Sequence, residues 1–217
     1  MPGFLALGAP AMVCAGVLLA APAAVPVAAA ADQCPDVEVV FARGTNEPPG
    51  LGFVGQAFAD SLAAQLPGRS VGRYAVNYPA SDNYLSSAEN GSDDAGAHIA
   101  GVVAGCPDTK LVLGGYSQGA AVTELATGAL PAGVADHVAA VALFGDPSSE
   151  FSSMLAGGAP LPTISPIYGA KTINLCIPDD PICSPGANMM AHVSYVPAGL
   201  ANQAATFAAG KLGGPTG

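Results

Sequence analysis

Positive charge is scarce in this chain. Six Lys and Arg stand against sixteen Asp and Glu, a formal net charge of −10 over 217 residues. With no basic cluster anywhere, the composition argues against nucleic acid or an anionic lipid surface as an electrostatic partner. Neutral esters and lipids are left open as ligands. Residues 1–31 carry no charged side chain at all, but Pro10, Pro22 and Pro26 cut their apolar stretches too short for a bilayer span. Stable membrane insertion is therefore not expected. Histidine is also rare, at three residues, which limits the candidates for a general base and leaves no His pair for a zinc site.

The uncharged leader is rich in Ala, Leu, Val and Pro. An apolar run over residues 11–21 and the small residues Ala28, Ala29, Ala30 and Ala31 before Asp32 read as a signal peptide with an A-x-A-type cleavage site. No Lys or Arg precedes the apolar run, a departure from the usual basic start. The expected organisation is a signal peptide at 1–31 and one domain at 32–217, exported and extracellular, with association to the cell wall as a variant. Cysteine usage agrees. Removal of Cys14 with the leader turns five cysteines into an even set of Cys34, Cys106, Cys176 and Cys183. Four cysteines allow three connectivities. The short Cys176–Cys183 spacing, filled with Pro and Asp, favours a local clip and leaves Cys34 for Cys106. On the chain-entropy model the clip contributes about 2.5 kcal/mol and the long bridge about 4 kcal/mol.

Apolar β-branched runs predict strands at 37–42, 71–78, 110–114, 138–144 and 171–175. Val54, Phe58, Leu62 and Leu66 recur every four residues and predict a helix over 53–66. Residues 80–97 read as a polar surface loop entering a helix at 93–104, with Asp93 and Asp94 in its first turn. Within that loop Asn90-Gly91-Ser92 reads as a turn, although it matches a glycosylation sequon. A short helix near 151–155, an Ala-rich closing helix over 200–212 and a frayed Gly-Gly-Pro tail complete the pattern. Strands alternating with helices predict an α/β fold, a parallel sheet with helices on both faces. Sites in such sheets form at the carboxyl ends of the strands.

One stretch stands out there. Leu111 to Gly114 is strand-like, Gly115-Tyr116-Ser117-Gln118-Gly119 follows, and a helix-forming segment begins at Ala120. This is G-x-S-x-G between a strand and a helix, where the turn lifts a serine hydroxyl clear of the sheet. The Gln118 amide then opens a helix and can stabilise an oxyanion. A serine needs a base, and the base needs an orienting acid. His98 lies mid-helix and His137 at the amino end of a strand, so both read as structural or solvated. His192, late in the chain, leaves room for an acid after Ser117 in the order nucleophile, acid, histidine. Asp146, Asp179, Asp180 and, more weakly, Glu150 all lie between them. Residue chemistry alone separates neither Asp146 from the Asp179–Asp180 pair nor one member of that pair from the other.

Taken together, Phe41-Ala42-Arg43-Gly44-Thr45, Gly115-Tyr116-Ser117-Gln118-Gly119, the Cys176, Asp180, Cys183 spacing and His192-x-x-Tyr195 resemble the cutinase family. The likeness is greatest to the secreted cutinase-like serine esterases of mycobacteria and spans nearly the whole exported part. It implies a small α/β-hydrolase with a five-stranded parallel sheet, the disulfides Cys34–Cys106 and Cys176–Cys183, and no cofactor. It also selects Asp180 as the acid, with Ser117 and His192 as its partners, and an oxyanion hole from Gln118 and Thr45. Many fungal members carry Ser at the Thr45 position; Thr keeps both hydroxyl and amide. Tyr78, Tyr84 and Leu85 on one side and Met189 and Met190 on the other are candidates for the rim around the acyl chain of a small-molecule or lipid ester. The protein is expected to act as a monomer. The rival readings are a decayed binding or antigen-like protein on the same fold, and a thioesterase or acyltransferase.

Overall fold

The computed structural model describes residues 34–213 together with Met1 and Gly3. The leader and the tail at 214–217 fall outside the described residues, apart from those two positions. Strand β1 (Val37–Ala42) sits beside β3 (Lys110–Tyr116) at the middle of the sheet, with β2 (Val71–Ala75) on one edge. Beyond β3 come β4 (Val138–Phe144) and β5 (Thr172–Leu175), giving the order β2-β1-β3-β4-β5. All four pairings are parallel. The predicted five-stranded parallel sheet is the observed one, and every strand therefore delivers its carboxyl end to the same rim.

Helices cover both faces. On one face α1 (Gly52–Ala64) and α6 (Leu200–Lys211) pack against β1 and β4 through Val54, Phe58, Leu62, Ala204 and Ala208. The Phe41, Phe58 and Phe144 rings meet here at centroid separations of 5.8 to 6.1 Å. On the other face α2 (Tyr84–Gly105) and α3 (Gln118–Ala129) bury Ile99, Ala120, Val122 and Ala126 against Val40, Leu113 and Leu143. Short helices α4 (Glu150–Leu155) and α5 (Met189–His192) lie in the loops at the strand ends. Both disulfides form as expected, Cys34–Cys106 and Cys176–Cys183.

Two element boundaries differ from the sequence reading by three residues or more, beside shifts of one or two residues at the ends of α1, β3 and β5. The second strand stops at Ala75 rather than near Tyr78, because the Tyr78 carbonyl accepts a hydrogen bond from Arg43 Nη2 at 2.8 Å instead of joining a ladder. The expected loop at 84–92 is helix, so α2 begins nine residues early and Asp93 and Asp94 lie mid-helix rather than in a first turn. Asn90-Gly91-Ser92 is likewise helical and not a turn. The cause is close packing of small residues. A Cβ on Gly91 would stand 2.8 Å from Val122 Cγ2, and Ser87, Ala88 and Ala95 bury beside it without an apolar stripe.

The glycines flanking Ser117 show how tight this region is. A Cβ on Gly115 would come within 1.9 Å of the Gly119 carbonyl oxygen, and one on Gly119 within 2.0 Å of the Ala42 carbonyl oxygen. Both obstacles are backbone, so neither can rotate aside. Gly119→Ala must push α3 away from β1. A cost of about 1–3 kcal/mol is expected from overpacking, read as a melting temperature lower by roughly 3–10 °C.

Candidate active site

The β3–α3 turn is a sharp one. Ser117 has φ 57° and ψ −121°, a strained conformation for a residue with a side chain. It is held by the Ser117 amide donating to the Phe144 carbonyl at 2.9 Å and by the small neighbours described above. The Gln118 side chain is buried and turned away from the rim: its Oε1 accepts from Ser87 Oγ at 3.1 Å and its Nε2 donates to the Ser81 carbonyl at 3.0 Å. What Gln118 leaves uncommitted by its side chain is its backbone amide, at the first position of α3.

His192 ends α5 and is almost wholly buried. Its Nδ1 lies 2.8 Å from Asp180 Oδ2. Asp180 lies fully buried in the loop between β5 and α5 and faces three donors. Tyr195 Oη donates to Oδ2 at 2.6 Å and the Ile182 amide donates to Oδ1 at 2.8 Å. Burial alone would push the Asp180 carboxyl up. The His192, Tyr195 and Ile182 hydrogen bonds outweigh that, and hold it below the usual carboxylate value. An acceptor-only carboxylate facing Nδ1 fixes the proton there and leaves the Nε2 lone pair free for a base's work. The Tyr116 ring stacks on the imidazole at 4.9 Å, and its hydroxyl donates to the His192 carbonyl at 2.6 Å.

The other acids considered stand elsewhere. Asp179, at φ 70°, is exposed, and its carbonyl accepts from the Asn188 amide. Glu150 lies in the first turn of α4. Asp146 follows β4 and is buried against Asn174, whose Nδ2 donates to it at 2.7 Å. His98 stacks on Tyr74 and bonds Glu38, and His137 ends the short 3-10 turn before β4.

Thr45 is carried on the loop after β1, which is braced from both sides. Glu47 accepts from the Gly44 amide at 2.6 Å and the Phe53 amide at 2.7 Å. Arg43 is buried with no carboxylate partner among the described residues and spends its donors on the Glu47 and Tyr78 carbonyls, while its guanidinium lies over the Tyr78 ring. The Tyr78 hydroxyl returns a hydrogen bond to the Arg43 carbonyl.

Thr45, Ser117 and His192 all line one cavity of about 530 Å³, walled by Phe53, Phe151, Leu155 and Met189. A second hollow of about 200 Å³ meets it at Thr45, Ser117, Leu155 and Ile182 and is closed by Tyr84 and Pro147. Of the rim residues expected from sequence, Met189 lines the larger hollow and Tyr84 the smaller. Leu85 and Met190 are exposed and line neither, and Tyr78 is buried under the Thr45 loop. Sequence reasoning named Tyr195 but gave it no role, and it did not find Tyr116 or Glu47. The spacing of Tyr195, three residues after His192, was the available signal.

Sheet, helices and turn define a small α/β-hydrolase. More particularly, the chain belongs to the cutinase family, whose model matches residues 33–212. It is 68% identical over 185 residues to carboxylesterase Culp1 of Mycobacterium tuberculosis, covering 85% of each chain. It is 50% identical over 208 residues to phospholipase Culp4 of the same organism, covering 91% of this chain and 87% of that one. Among solved structures, Trichoderma reesei cutinase in complex with a C11Y4 phosphonate inhibitor superimposes with a TM-score of 0.67 at 38% identity, over 82% of this chain and 77% of that one. The protein is a carboxylic ester hydrolase.

Proposed function

We propose that this hydrolase is an exported monomeric esterase that cleaves short- to medium-chain acyl esters through a Ser117 acyl-enzyme. One observation carries the reading: Ser117 and His192 open onto the same apolar-walled cavity, while His192 is anchored from behind by Asp180 at 2.8 Å. In this mechanism His192 Nε2 takes the Ser117 hydroxyl proton as Oγ attacks the ester carbonyl. The Gln118 amide and Thr45 donate to the developing oxyanion. His192 then returns the proton to the departing alcohol. Water repeats the sequence to release the acid and restore Ser117. Asp180 fixes the imidazole tautomer and stabilises its charged form, with Tyr195 bracing the carboxylate.

The cavity supports the substrate class. Its walls are mostly apolar, the one carboxylate lining it is Glu47, and no Lys or Arg lines it among the described residues, so neutral acyl groups fit better than anionic ones. Lipid esters and polyesters are within reach of a site this open, in keeping with the phospholipase and cutinase named among the relatives. Export is supported by the two disulfides and by the signal-like leader at 1–31.

The test joins labelling to a substrate panel on the exported domain. A fluorophosphonate should label Ser117 alone, and absence of labelling would favour a decayed binding protein. Across p-nitrophenyl esters from acetyl to palmitoyl, kcat/KM should peak at short to medium chains and fall by roughly tenfold or more at palmitoyl. A maximum at palmitoyl would overturn the chain-length assignment.

A further inference from the structure

Asp146, passed over as the acid partner of His192, belongs with Glu124 and Tyr84 to a cluster of polar groups that the reaction above does not use. Glu124 of α3 is 3% exposed and Asp146, in the turn after β4, is 7% exposed. Their carboxyl groups lie close enough to act on each other. Tyr84, at the start of α2, faces both. Among the described residues Glu124 Oε2, Asp146 Oδ1 and the Tyr84 hydroxyl have no hydrogen-bond partner, as two carboxylates facing each other without a proton would leave them. The hydrogen bond made to the pair from outside comes from a donor, Asn174 Nδ2 of β5 to Asp146 Oδ2 at 2.7 Å, and the Ile164 backbone near Glu124 favours the charged form only in part. No Lys, Arg or His is among the groups acting on either carboxyl. Two ionised carboxylates are acceptors only and cannot bond each other. A contact of this kind in a buried site requires one proton between them.

The pair also stands next to the candidate catalytic base. Asp146 directly follows Gly145, whose positive φ of 57° turns the chain against the imidazole. A Cβ on Gly145 would lie 2.9 Å from His192 Cε1 and 3.1 Å from both His192 Nδ1 and Tyr195 Oη. The Gly145 amide donates to the Leu175 carbonyl, tying this turn to β5. There is no spare room between the turn and the ring.

We propose that Glu124 and Asp146 share one proton and that this bond positions the 145–147 turn against which His192 packs. They are positioning residues, and the claim rests on His192 being the base. Raising the pH moves the shared proton to water and leaves two buried carboxylates in contact. Their repulsion displaces the turn and, with it, the imidazole. Burial first, and the facing Asp146 second, push the Glu124 carboxyl up to about 9, and burial likewise raises Asp146. A raised carboxyl contributes stability that is complete below its unfolded value, near 4.5, and is lost as the pH rises through about 9. Activity should follow the same limb.

Glu124→Gln separates this from a plain packing role. The amide donates to Asp146 at every pH and so reproduces the shared-proton state permanently. For wild type, kcat/KM on a butyryl ester should fall by roughly tenfold between pH 7 and pH 10, as expected for an essential proton lost near 9. In Glu124→Gln the pH 10 to pH 7 ratio should rise towards 1, and the alkaline decline in melting temperature should shrink alongside it. Asp146→Asn, the mirror replacement, should do the same and covers the case in which the first variant fails to fold. An activity ratio in both variants equal to that of wild type overturns the proposal, whatever the melting curves show. Loss of all esterase activity in wild type would instead strike the catalytic reading, while the melting curves would still report the shared proton.

Discussion

Ser117→Ala should lose esterase activity by a factor of roughly 10⁴–10⁶ in kcat/KM while keeping its melting temperature within a few degrees of wild type. The size follows from what disappears. Without Oγ there is no covalent intermediate, and His192 has no nucleophile to deprotonate. On the proposed mechanism, oxyanion donation by the Gln118 amide and binding in the 530 Å³ cavity would remain and would alone supply the residual rate. The fold should not suffer, because the strained turn is imposed by its surroundings. The Ser117 amide still bonds the Phe144 carbonyl, and Gly115 and Gly119 still admit the close backbone approach. The measurement is initial rate on a chromogenic short-chain ester beside a thermal melt. A variant within tenfold of wild type would mean that Ser117 is not the nucleophile.

How far such a site can be read from sequence depends on whether its chemistry is local. The nucleophile turn is local: strand, two glycines, serine, glycine and helix are contiguous, and the structure reproduces that order at the end of β3. The candidate base, His192, followed by elimination among three histidines. The acid did not, since Asp146, Asp179 and Asp180 differ only in which way the folded loops turn them. It took family likeness to prefer Asp180, and in the structure Asp180 is the one against His192. The supports around them are non-local and left almost no trace. Tyr116 reaching the His192 carbonyl and Glu124 facing Asp146 each join separate segments. Helix α2 began too late in the sequence reading for a related reason. Its first turns are polar on paper, and they are helical because small residues let them press onto α3.

Asp180→Asn should cost roughly 10⁴ in kcat with a much smaller change in KM. The carboxylate uses both oxygens as acceptors: Oδ2 takes His192 Nδ1 and Tyr195 Oη, and Oδ1 takes the Ile182 amide. An amide has one acceptor oxygen. If that oxygen faces Ile182, the NH₂ group points at His192 Nδ1, which must then give up its hydrogen and move it to Nε2. The nitrogen facing Ser117 becomes a donor and can no longer take a proton. If the oxygen faces His192 instead, the NH₂ group confronts the Ile182 amide, donor against donor, and the loop after β5 must shift. Either arrangement disables the base without emptying the cavity, which is why kcat should bear the loss. The pH dependence of stability supplies a second, independent reading. The Asp180 carboxyl is held below its ordinary value of 3.8, so its contribution is complete above that value and fades as the pH drops through the folded one. The melting-temperature gap between wild type and Asp180→Asn should therefore be wide at pH 7 and narrow towards pH 3. A gap that stays constant over that range, or a kcat within tenfold of wild type, would mean that the carboxylate neither stabilises the fold by accepting these hydrogen bonds nor sets the imidazole tautomer.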